Sequence, residues 1–144
     1  MAPLVVLVVV SGIARLLGLL LLPGWLDSWP HAVRLGLAAM FALTASAHFL
    51  QPRRDALIEM VPPRLPGPAN LVTLTGILEL AGAAGLLIPP VAPIAAFCLV
   101  AMLVLMFPAN VRAARAHVGL KTVPLPARTT LQVLFIAACI LAAF

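Results

Sequence analysis

The chain has 144 residues, of which 64% are apolar and 9% charged, with a net charge of +5 and a mean hydropathy of +1.19. That much apolar surface cannot be hidden inside one soluble domain of this size, so lipid must solvate much of it. The expected fold is therefore all-α and polytopic, a single transmembrane helical domain. The positive charge does not point to nucleic acid, because the basic residues stand in short connections between apolar runs, where they serve as topology signals and as contacts for anionic lipid headgroups.

Long apolar runs punctuated by Pro, Gly and charge suit helices, whereas barrel strands would be short and alternating. Five spans are expected, over about residues 3–22, 31–50, 70–88, 91–107 and 127–144. The first carries Ser11 and Arg15 and lacks both a basic stretch before its apolar core and a small-residue cleavage site, so it reads as retained. Arg15 within it must snorkel or find a partner. Trp25 and Trp29 in the next linker suit the headgroup level.

The second run begins after Pro30 and stops before Pro52, where prolines belong relative to a helix, and His48 lies near its far end. In the polar stretch that follows, Leu57, Met60 and Val61 fall at helical spacing opposite Asp55 and Glu59, which predicts a short interfacial amphipathic helix. The third and fourth runs are separated only by Pro89 and Pro90 and must form an antiparallel hairpin. Beyond the fourth, Asn110, Arg112, Arg115, His117 and Lys121 bring the chain back into water, and the last run opens with Arg128 and Gln132.

Seven of the nine basic residues, Arg53, Arg54, Arg64, Arg112, Arg115, Lys121 and Arg128, belong to two connections that lie two crossings apart. Their side is expected to be cytoplasmic, in a bacterial inner membrane, with the N-terminus inside and the C-terminus outside.

Glu79 stands at the middle of the third run. A carboxylate in the hydrocarbon core costs roughly 2.5 to 3.5 kcal/mol on insertion scales, so it should face protein or water. Gly76, Gly82 and Ala83 lie three or four positions away and permit close helix approach, and Thr75 sits one turn earlier on the same side. Two readings are open. Glu79 is a buried structural acid, protonated or paired with Arg15, or it is a functional acid.

At about 1.5 Å of rise per residue, His48, Thr73, Asn110 and Gln132, on four different helices, come out within roughly 8 Å of the basic face, with Glu79 one to two turns deeper. If they converge, they line a polar pocket floored by the carboxylate. His48 titrates near neutrality and would serve as an acid/base partner. Ordinary interfacial polarity accounts equally well for Asn110 and Gln132. Cys98 and Cys139 fall at similar depth near the other face and read chiefly as small packing residues. The sequence has no CxxC, paired Cys/His cluster or HExxH, so no metal site is expected.

The segments HFLQP, MVPPRLPGP, TGILELAGAAGLLIP and FPANVRAA, followed by Gln132 near the start of the last run, span about residues 47–136 and resemble the DoxX-like family of small bacterial membrane proteins. The resemblance implies a four-helix bundle made of the second to fifth runs, with the first as an additional N-terminal helix. It also picks out His48, Pro62, Pro63, Gly76, Glu79, Asn110 and Gln132, and it suggests a redox-associated, quinone-linked membrane subunit. On that reading His48 and Glu79 are the catalytic candidates, and Thr75, Asn110 and Gln132 the substrate-binding ones. Quinone is the candidate cofactor, and the candidate partners are membrane lipid, a redox partner protein and a second copy of the chain. Two alternatives stand beside it: a noncatalytic membrane scaffold, and an acid/base enzyme of isomerase or hydratase type acting on a lipophilic substrate.

Overall fold

A computed structural model describes residues 2–21, 24–118 and 123–144. Lys121, one of the seven basic residues, and the end of the first apolar run at Leu22 lie outside the described residues. Six helices follow one another: α1 (Ala2–Leu20), α2 (Trp29–Phe49), α3 (Arg53–Met60), α4 (Pro68–Leu86), α5 (Ala92–Ala116) and α6 (Leu125–Ala143). All except α3 are long and apolar enough to cross a membrane, the pattern of an integral membrane protein with five helical spans.

Prolines and caps set the helix limits. At the start of α2, Ser28 accepts a hydrogen bond from the His31 N–H at 3.4 Å and Pro30 occupies the first turn. Gly67, at φ +61, turns the chain into α4 just before Pro68. α5 runs through Pro108 to Ala116, nine residues beyond the apolar run, and ends with His117 in the left-handed region. The expected short helix after the second span is present as α3.

α2 is the central helix: α1, α4 and α6 pack against it, and α5 closes the bundle against α4 and α6. The fully buried Leu37, Met40 and Phe41 of α2 meet Leu86 of α4, Leu99 of α5 and Cys139 of α6 in one core. Arg34, also buried in α2, donates from Nε to the Ala142 carbonyl at 2.7 Å and ties the start of α2 to the end of α6. It caps one of the carbonyls that a helix C-terminus leaves without an intrahelical donor.

Bare backbone lets α2 meet its neighbours closely. A Cβ at Gly36 would stand 2.7 Å from the Leu7 carbonyl of α1, and one at Gly76 would stand 2.6 Å from the His48 Cβ. Because His48 belongs to the end of α2 and Gly76 to the first half of α4, this second contact sets the height of α4 against α2. Gly76→Leu should therefore wedge α4 from α2 and cost about 1 to 3 kcal/mol, whereas Gly12→Leu, at a position where a Cβ meets nothing within 4 Å, should be close to neutral. Thermal unfolding of the two variants in detergent checks this, and equal midpoints would remove Gly76 as the determinant of the α2–α4 contact.

Candidate functional site

The contact at Gly76 leaves no room for a side chain between α2 and α4, so the polar groups beside it bond to one another. Glu79 is buried, at 5% exposure, and its Oε2 accepts a hydrogen bond from the Thr44 hydroxyl at 2.9 Å. Its Oε1 faces His48 Nε2 at 3.7 Å. The other ring nitrogen, Nδ1, lies 2.8 Å from the Val72 carbonyl and 3.2 Å from the Thr75 hydroxyl.

These contacts fix the histidine tautomer. A carbonyl only accepts, so Nδ1 carries a proton and donates to Val72. The Thr75 hydroxyl spends its own proton on the carbonyls of Leu71 or Val72. The Nε2 face is thus left to the carboxylate, and His48 and Glu79 form a buried pair within ion-pair range.

Arg15 is not part of this centre. It pairs with Asp27 in the α1–α2 connection and lies 5.9 Å from the centre of the Trp29 ring, so the pairing with Glu79 that the sequence leaves open is not formed. The long side chain runs toward the helix end and finds its counter-charge there, as snorkelling allows.

A second polar cluster joins α5 to α6. Gln132, also buried, donates from Nε2 to the Leu103 carbonyl at 2.5 Å. Its Oε1 accepts from Asn110 Nδ2 at 3.3 Å, and Asn110 Oδ1 lies 3.5 Å from Arg128 Nη1.

The two clusters flank a groove of about 870 Å³ between α4 and α5. Apolar side chains form most of its walls, Leu57 and Met60 of α3 cover one end, and His48, Thr75 and Asn110 are its polar members at that same end. The five candidate residues therefore divide by role. His48, Thr75 and Asn110 line the groove, while Glu79 stands behind His48 and Gln132 behind Asn110. The single pocket floored by Glu79 that depth alone suggests is replaced by two clusters, because depth fixes height and leaves rotation about the helix axis open. Thr73 faces another way: its hydroxyl accepts from Arg54 Nη2 at 3.0 Å. Arg54 also donates from Nη1 to the His48 carbonyl at 2.5 Å, stapling the end of α2 to the start of α4.

Sequence reasoning passed over Thr44 and read Arg54 only as a topology signal. Thr44 lies four residues before His48, one turn along the same helix face, and that spacing was its available signal. Both cysteines are free: Cys139 is buried in the core, and Cys98 lies on the groove wall. No group of three or more His, Cys, Asp or Glu suited to a metal ion occurs among the described residues.

Thr44→Val leaves a buried carboxylate oxygen without its donor and should cost about 1 to 3 kcal/mol. The same change made on top of Glu79→Leu should cost little, because the Phe41 carbonyl at 3.1 Å already offers the Thr44 hydroxyl another acceptor. A double-mutant cycle of unfolding in detergent reads the coupling, and strictly additive losses would show that the Thr44–Glu79 bond contributes nothing.

A family model described as a domain of unknown function (DUF8561) matches residues 37–143. No curated protein and no solved structure matches the chain.

Proposed function

We propose that this chain, which belongs to the DUF8561 family, binds an elongated lipophilic molecule with a polar head, of quinone type, in the groove between α4 and α5. On this reading it serves as a redox-associated membrane subunit. One observation carries the proposal: the groove is apolar along most of its length and gathers His48, Thr75 and Asn110 at one end, with Glu79 in ion-pair range behind the histidine. Sites for lipophilic ligands have this composition, apolar walls with a few polar groups converging at one point to set orientation.

The lining residues reach from Ile94 to Asn110 on α5, and sixteen steps along a helix cover roughly 24 Å. That length suits an isoprenoid or acyl tail lying along the helices, with its head against His48 and Asn110. Behind the head position His48 and Glu79 form a buried acid/base pair, and the resemblance to the DoxX-like family suggests the same class of partner. The electron donor or acceptor would be a separate redox protein. The basic residues at the α3 end argue for a cytoplasmic groove mouth in a bacterial inner membrane, with the N-terminus inside and the C-terminus outside.

Mass analysis of an organic extract of the detergent-purified protein tests the proposal, alongside Ala101→Trp, which fills the groove from its α5 wall. A quinone or similar lipophile present near one per chain, and at least tenfold depleted in an equally folded Ala101→Trp variant, is the expected result. If titrated short-chain quinone binds neither protein saturably, or binds both alike, the reading fails in favour of a scaffold.

A further inference from the structure

The polar end of the groove contains an amide whose orientation is dictated from behind. Pro108 interrupts the hydrogen-bond ladder of α5, since it has no N–H and its ring crowds the carbonyl four residues earlier. Beside this break Gln132 reaches across from α6 to the Leu103 carbonyl. That carbonyl only accepts, so the Gln132 atom facing it is nitrogen, and the other end of the same side chain is the oxygen Oε1.

An oxygen in turn accepts only, so Asn110 must turn its nitrogen toward Gln132, and its own oxygen is left facing the Arg128 guanidinium. One Asn110 N–H is spent on Gln132. The second has no partner among the described residues, and Asn110 is the member of this chain of bonds that lines the groove.

On the opposite wall the hydroxyl proton of Thr75 is held by its own helix, and His48 Nδ1 is held by Val72. We infer that Asn110 is the specificity-determining residue of the groove, a fixed hydrogen-bond donor that selects a lipophile with a carbonyl-type acceptor at its head, and that Gln132 is the positioning residue that keeps the donor turned that way. This deepens the reading of the groove as a lipophile site and rests on it. Both a quinone and the ester of a glycerolipid offer such an acceptor. A head group that carries no acceptor leaves the amide N–H unpaired in an apolar site, which is the strongest form of discrimination a hydrogen-bonding site has.

The experiment compares binding of a short-chain prenylated benzoquinone, the same prenylated ring without its oxygens, and a short-chain diacylglycerol to the purified full chain. Asn110→Asp replaces the donor by an acceptor of the same shape, and Gln132→Glu removes the amide that addresses Leu103. Both should weaken the quinone by about tenfold or more and leave the oxygen-free ring within about twofold. A merely structural role would move both ligands together.

Failure of the unmutated chain to bind any of the three sinks the lipophile reading and this inference with it. Retention of quinone affinity by folded Asn110→Asp sinks the inference alone. Preferential binding of the diacylglycerol identifies lipid as the source of the acceptor and keeps Asn110 as its reader. Should the variants not fold, the infrared carbonyl band of quinone bound to the unmutated protein decides: a shift to lower frequency than in apolar solvent is expected, and an unshifted band overturns the donor assignment.

Discussion

The absence of a side chain at Gly76 is the constraint on which the rest depends. A Cβ there would stand 2.6 Å from that of His48, so only glycine lets α4 come this close to α2. At that spacing the His48 ring lies between the Val72 carbonyl and the Glu79 carboxylate, and Thr44 reaches Glu79 from the turn below. Were α4 to move outward by the width of a methyl group, both oxygens of the acid would lose their neighbours together. The glycine is thus linked to the charge: close approach solvates a carboxylate that lipid would not.

The same approach on the other side of α4 leaves the groove. Gly82 and Gly85 admit Leu99 and Ala95 of α5 near the hairpin, so the two helices touch tightly there. Toward the α3 end no such glycine contact joins them among the described residues, the α5 ladder lacks a donor at Pro108, and α3 covers the space between the two helices. α3 is held at both ends, through Arg54 to the His48 carbonyl and through Arg112 to the Val61 carbonyl. Hydrogen bonds to helix-end carbonyls therefore fasten the cover without drawing on the side chains of His48, Thr75 or Asn110.

Five spans were legible in the sequence because apolar length and proline position are one-dimensional properties. The carboxylate and its small neighbours were legible for the same reason, since spacing along one helix decides which residues share its face. How two helices are turned toward each other was not legible. Depth placed His48, Asn110 and Gln132 in one layer, and that layer divides into separate α2–α4 and α5–α6 clusters. Arg15 shows the other gap: its distance from Glu79 in depth made a pair conceivable, and Asp27, in a short connection that depth ignores, takes it instead. Arg34, silent within an apolar run, is satisfied by a backbone carbonyl 108 residues away that no local pattern announces.

The identity of the partner decides what Glu79 can do. An arginine beside it would hold the carboxylate permanently ionised and make the pair a fixed strut. A histidine beside it permits two distributions of one proton, charged on both members or neutral on both, and the dyad has no net charge in either. A site with no net charge in both states suffers a smaller penalty from its apolar surroundings when the proton moves than a lone acid would. Nδ1 is already committed to Val72, so movement is confined to the Nε2–carboxylate face, 3.7 Å wide and closed by Thr44 on its far side. Arg15, paired with Asp27, is a fixed cation kept away from the acid, which is left with His48 and Thr44 as its neighbours.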